Sequence, residues 1–183
     1  FITLLLCFAY FANVMTYYYF VKWLPTAVTD LGYTVSQATE VLGVASLGGI
    51  LGSIGISICA LFLPIRSLMF TCLMLTAVGV SLFPHFTDSI GNMKMMSFFA
   101  GAFVMAAISG FFGLFASSFP SSVLGAGSGM VLGVGRGGAV IGPMVPGFLF
   151  AAGLTFANVS IIMAAGSFFA GVAVIFLHKK KKV

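Results

Sequence analysis

Arg136 is the residue best placed to do chemistry in this chain. It stands inside residues 125–147, GAGSGMVLGVGRGGAVIGPMVPG, a stretch apolar enough to cross a membrane. An arginine at the centre of a membrane helix costs about 2.5–3.5 kcal/mol on insertion scales, so such residues face a bundle interior or a wet cavity rather than lipid. Its planar fork matches a carboxylate through two parallel hydrogen bonds. The acids are Asp30, Glu40 and Asp88; the first and last fall in loops, and Glu40 opens the second span. None shares the depth of Arg136, which lies about eleven residues, or 16 Å, inside its span. Two readings stand side by side. Either Arg136 holds a bound organic anion, or it bonds the carbonyls of a kinked helix and fixes packing.

The first apolar stretch places Tyr10, Asn13 and Tyr17 at i, i+3 and i+7, on one helix face. Two polar aromatics and an amide there suit the lining of a substrate path and stacking on a ring-bearing ligand. The plainer alternative is an interfacial aromatic belt with Asn13 bonding a neighbouring helix. Tyr18 and Tyr19 are assigned to that belt. Ser109 is a candidate pore-lining hydroxyl. Glu40 is expected to pair with Lys22 or with water, and His85 to be solvated in a loop.

These residues need elements to hold them. Of 183 residues, 61% are hydrophobic and 6% charged, against about 25% charged in a soluble domain. That composition excludes a water-soluble core and indicates an integral membrane protein surrounded by lipid. About 20 apolar residues are needed for each helical span. Six spans emerge, at 1–21, 38–61, 66–83, 95–117, 124–151 and 155–177. Loops fall at 22–37, 62–65, 84–94, 118–123 and 152–154, and a basic tail at 178–183. The chain opens on Phe1 in an apolar run without a basic leader, which reads as a fragment rather than a signal peptide.

At 100° per residue, Gly125, Gly129, Gly133 and Gly137 form a drifting small-residue stripe with Arg136 roughly 20° away. Such a stripe lets a neighbouring backbone come close. Gly142 and Pro143 continue the region, and Pro143 and Pro146 are expected to kink its far end. Gly48 and Gly52 play the packing role in the second span. The middle span of each triplet is thus glycine-rich, which suggests two three-helix repeats of opposite topology.

The net charge of +5 comes mostly from His178-Lys179-Lys180-Lys181-Lys182. A basic run flanking a span marks the cytoplasmic side, so the tail and Arg66 are placed there, in a plasma or inner membrane, with Lys22 and Lys94 opposite. No nucleic-acid partner is implied. Cys7, Cys59 and Cys72 lie in spans without metal-ligand spacing, so neither metal nor cofactor is called for. There is no nucleophile elbow, HExxH or phosphate-binding loop, and the chain is not read as an enzyme.

Three stretches carry a resemblance: Trp23-Leu24-Pro25-Thr26, Phe119-Pro120, and Gly133-Val134-Gly135-Arg136-Gly137-Gly138-Ala139-Val140-Ile141-Gly142-Pro143. The last is similar to a GxGRxGAxxGP motif. Together they resemble the C-terminal six-helix half of a major facilitator superfamily transporter, and within it the aromatic acid/proton symporter family. The resemblance implies an all-α membrane protein equivalent to helices seven to twelve of twelve. It implies symport of an aromatic or other organic carboxylate with protons by alternating access, Arg136 as the embedded cation of the site or its gate, and a missing N-terminal six-helix half carrying the proton-handling acids. Two stretches depart from the pattern. Phe62-Leu63-Pro64-Ile65-Arg66 lacks the usual Asp-Arg pair, and Ser121-Ser122-Val123 lacks a basic residue after the proline. Those departures leave a second expectation open, a truncated nontransporting protein or scaffold that self-associates through glycine-rich faces.

Overall fold

The computed structural model describes residues 2–177, so the expectations placed on the basic tail lie outside the described residues. Six long helices follow one another: α1 Ile2–Asp30, α2 Val35–Cys59, α3 Ile65–Leu82, α4 Ile90–Ser118, α5 Leu124–Ala151 and α6 Phe156–Ile175, with a short 3-10 turn Phe83–His85 after α3. No strand occurs among the described residues. In hydrocarbon every backbone amide must find its partner within the chain, and a helix does this segment by segment. All six are long and apolar enough to span a membrane.

The helix ends follow local chemistry. Thr34 caps α2 reciprocally with Gln37: the Thr34 amide donates to Gln37 Oε1 at 2.9 Å, and the Gln37 amide to Thr34 Oγ1 at 3.3 Å. Ser89 and Thr155 accept from the amides of Asn92 and Asn158 in the same way. After α5 the chain reverses at Gly153, with φ of 84°, where Gly153 donates to the Phe150 carbonyl and Leu154 to that of Leu149. That is the glycine-terminated helix end that left-handed backbone favours.

Three boundaries differ from expectation: α2 begins at Val35 rather than 38, α4 at Ile90 rather than 95, and α1 runs on furthest of all. The predicted loop 22–37 is helical as far as Asp30, straight through Pro25. Leu24, Ala27 and Val28 are buried on this extension, and the indole Nε1 of Trp23 donates to the carbonyl of Pro143 at 3.0 Å. Packing and that bond hold the last turns of α1 despite the amide that Pro25 lacks.

The closest neighbours are α2 with α4, α1 with α5, and α3 with α6; α1 also packs on α6 and α3 on α4. Exchanging α1 with α4, α2 with α5 and α3 with α6 leaves this list unchanged. Consecutive spans alternate in direction, so the exchanged helices run oppositely, as two inverted three-helix repeats require. The repeat extends to atomic contacts. A Cβ at Gly48 would overlap the Phe98 carbonyl and one at Gly52 the Ala102 carbonyl. Correspondingly, a Cβ at Gly138 would lie 2.5 Å from the Phe11 carbonyl oxygen, and one at Gly142 2.7 Å from that of Met15. Each pair of glycines steps by four residues along one helix while its carbonyl partners step by four along the other.

The core has two layers. One gathers Leu6, Met69, Leu73, Phe111, Leu114 and Phe115; the other Phe20, Val28, Val41, Val80, Met93 and Val159. A polar seam joins α1 to α6: Ser167 donates to Asn13 Oδ1 at 3.1 Å, Thr16 to the Met163 carbonyl at 2.7 Å, and Tyr19 shares a 2.6 Å bond with Ser160. At one end of the bundle, the Arg66 guanidinium donates to the Leu177 carbonyl and ties the start of α3 to the end of α6.

Candidate functional site

A cavity of about 210 Å³ opens between α1, α4 and α5. Tyr10, Val14, Tyr17 and Tyr18 line it from α1, Met105 and Ile108 from α4, and Gly135, Arg136 and Ala139 from α5. Helix α5 reaches this position because Gly135 lets it down onto α1; a Cβ there would overlap the Tyr10 ring. The Tyr10 ring is itself braced edge-on by Phe111 at 5.1 Å and Phe115 at 5.7 Å. Arg136, one position on and about 100° round the helix, projects at the exposed margin of the cavity.

The guanidinium makes no hydrogen bond or ion pair among the described residues. The helix-carbonyl reading of Arg136 therefore finds no bond to carry it. Nor does any acid line the cavity. Glu40 pairs with Lys94 at 2.6 Å, linking α2 to α4, rather than with Lys22 as expected. Lys94 stands on the first turns of α4, within reach of the opening turns of α2. His85 is exposed, as a loop histidine should be.

The other expected residues divide. Tyr10 and Tyr17 lie in the cavity wall. Asn13 does not: it is fully buried on the α6 side, bonded to Ser167. With Tyr10 at zero, Val14 and Tyr18 fall about 40° and 80° to one side and Asn13 about 60° to the other. The wall is the Val14 side, and the amide turns into the α1–α6 seam. Ser109 bonds Ser53 at 2.9 Å between α4 and α2 and is absent from the cavity wall. Tyr18 and Tyr19 do not form an interfacial belt. Tyr18 lines the cavity and Tyr19 is buried against Ser160.

The glycine stripe also needs correction. Nothing lies within 4 Å of a Cβ built at Gly125, Gly129 or Gly133, and Gly137 meets only the edge of the Phe11 ring at 3.2 Å. The face that packs on α1 carries Gly135, Gly138 and Gly142, with Val131 and Pro146 also buried. It lies about 140–200° from Gly133. The α1 backbone at Phe11 and Met15 selects it. Gly142 and the Pro143 carbonyl belong to this contact; Gly48 and Gly52 lie against α4.

Sequence reasoning missed Tyr18, Met105 and Ile108 as wall residues and Trp23 as the clamp on Pro143. Tyr18 was findable, four residues after Val14 on the stripe that begins at Tyr10. The α4 residues carried no polar signal.

This arrangement offers one fixed positive charge beside three phenol rings, in an otherwise apolar recess. A carboxylate would meet the guanidinium through paired charge-assisted bonds, and an attached ring would meet tyrosine faces and edges. The volume is below the roughly 300–1,000 Å³ of a complete ligand pocket, as expected of one wall of a site.

Comparison with protein families matches residues 6–183 to the Major Facilitator Superfamily. Among individual proteins, the chain is 29% identical to the 3-(3-hydroxy-phenyl)propionate transporter of Escherichia coli, over 98% of this chain and 44% of that protein. It is 26% identical to the 4-hydroxybenzoate transporter of Pseudomonas aeruginosa, over 86% of this chain and 35% of that protein. It is 26% identical to the gallate transporter of Pseudomonas putida, over 94% of this chain and 38% of that protein. The chain thus spans less than half the length of these relatives.

Proposed function

The chain belongs to the major facilitator superfamily, and on that premise we propose that it forms the C-terminal six-helix half of a carrier for aromatic or other organic carboxylates, driven by proton symport through alternating access. The observation that carries the reading is Arg136, a guanidinium without a hydrogen-bond or ion-pair partner among the described residues, at the margin of a tyrosine-lined recess. Its role is to hold the substrate carboxylate. Tyr10, Tyr17 and Tyr18 hold the ring.

The wall needs an opposite side. Helices α2 and α5 are the least buried of the six. They leave Leu47, Ile50, Leu51, Ile54, Val140 and Met144 exposed, along with the open glycines 125, 129 and 133. A second six-helix body covering those faces would close the site. The three relatives named above are transporters of small aromatic acids by name, which supports the substrate class. Placement in a plasma or inner membrane with the basic tail cytoplasmic belongs to the same proposal and rests on the charge of that tail.

The test is uptake by the complete carrier of a panel of ring-bearing and aliphatic carboxylates, with and without an inward pH gradient. Arg136→Ala should abolish uptake while surface expression persists. Uptake at the wild-type rate by that variant would remove Arg136 from the mechanism. Uptake indifferent to the gradient would remove the proton.

A further inference from the structure

A second cavity, of about 280 Å³, lies at the end of the bundle remote from Arg66 and Leu177. Its walls are Trp23, Ala27, Asp30 and Leu31 from the end of α1 and the turn beyond it, Phe150 from the end of α5, and Phe156 from the start of α6. The Trp23 and Phe150 rings pack against each other in that wall, their centroids 4.9 Å apart at 44°. Asp30 supplies the charged side chain of the wall, and it has no ion-pair partner among the described residues. The carboxyl ends of both α1 and α5 meet here, and the helix dipole places partial negative charge at each. The amino end of α6 offsets one of the two, and the exposed Asp30 carboxylate adds a full negative charge at the rim.

The sign is opposite to that of the Arg136 site. Three aromatic rings and a carboxylate recognise a cation with an apolar coat, because ring faces attract positive charge and the carboxylate completes the neutralisation. We propose that this cavity is a binding site for an organic ammonium group, and that it is distinct from the carboxylate site. The ammonium could reach it from a free alkyl- or arylammonium ion or from the headgroup of a choline lipid. The two sites are linked by one bond, because Trp23, which walls the cavity, holds the Pro143 carbonyl of the helix that bears Arg136.

Trp23 is the single tryptophan of the chain, so the tryptophan emission of the chain comes from a wall of this cavity. The experiment titrates benzyltrimethylammonium into the 183-residue chain in vesicles of phosphatidylglycerol, with neopentylbenzene and 3-phenylpropionate as the neutral and anionic comparisons. A saturable change in Trp23 emission is expected with the ammonium, at least tenfold weaker with the neutral compound and absent with the anion. Asp30→Asn should weaken ammonium binding about threefold, the scale of an exposed ion pair, and Asp30→Glu should restore it. Far-UV circular dichroism verifies that the variants remain helical. In a parallel arm, phosphatidylcholine replaces part of the lipid. A shift in emission that reduces the response to soluble ammonium identifies the headgroup as the occupant, and an unchanged response identifies the free ion. Equal binding of the neutral compound, an effect insensitive to Asp30→Asn, or no saturable change with any probe would each overturn the proposal.

Discussion

Replacing Gly142 with alanine should loosen the α1–α5 contact, whereas the same change at Gly129 should tighten the fold. At Gly142 the new Cβ would lie 2.7 Å from the Met15 carbonyl oxygen, 3.2 Å from Met15 Cα and 3.2 Å from Tyr18 Cβ. The first is a backbone atom inside a helix, so relief requires the two helices to separate by about half an ångström or more, and overpacking of this kind costs about 1–3 kcal/mol. Against this, alanine is the better helix former by about 1 kcal/mol. The net expectation for Gly142→Ala is a loss of about 1 kcal/mol, the middle of a range of about 0–2 kcal/mol. At Gly129 a Cβ meets nothing within 4 Å, so the propensity gain of about 0.5–1 kcal/mol stands alone. Thermal unfolding of both variants of the 183-residue chain, followed by circular dichroism in one detergent, provides the assay. Trp23 emission should also shift in Gly142→Ala, because the Pro143 carbonyl moves with α5. If Gly129→Ala destabilised as much as Gly142→Ala, the packing face of α5 would be the stripe expected from sequence and the assigned contact would be refuted.

Trp23→Phe keeps one aromatic ring but removes the pyrrole portion with the N–H that bonds Pro143, so it should lower stability by about 1 kcal/mol or more, read by the same melts. A double-mutant cycle of Asn13→Ala with Ser167→Ala should give a coupling near 0.6 kcal/mol, typical of bonds between membrane helices, whereas zero coupling would contradict the seam between α1 and α6. Neutralising Lys179 to Lys182 should change the orientation or yield of the protein, measured by cysteine accessibility, more than it changes substrate affinity; a selective change in affinity would contradict the positive-inside reading.

The six spans were legible because membrane crossing imposes its own length and hydropathy; residues 124–151 form α5 as expected. The inverted repeat was visible only as glycine-rich middle spans. The contacts that establish it, Gly48 and Gly52 on one pair of helices and Gly138 and Gly142 on the other, needed coordinates to reveal their shared register. The face of α5 that packs within the bundle was not singled out because that helix carries glycines at four-residue spacing on two sides, and composition alone has no way to rank them. The extension of α1 was hidden by Pro25, which signals a break in water but is tolerated where neighbouring helices support it. Arg136, Tyr10 and Tyr17 were legible as cavity-lining residues from polarity in an apolar run. Asn13 follows the plainer alternative and bonds a neighbouring helix, because a helix face is broad and 60° of rotation separates a cavity wall from a buried seam. Met105 and Ile108 were silent, since a hydrophobic wall residue looks like any other residue of a membrane helix.

The central claim is that Arg136 touches the carboxylate of the substrate rather than merely supporting the fold. The most direct measurement compares binding of an aromatic carboxylate with that of its uncharged carboxamide, in the complete carrier and in its Arg136→Ala variant. A charge-assisted bond contributes about 1.5–3 kcal/mol, so the wild type should prefer the carboxylate by at least about tenfold, and the variant should bind the two compounds about equally. A variant that weakened both ligands by the same factor and kept the wild-type preference would contradict the account.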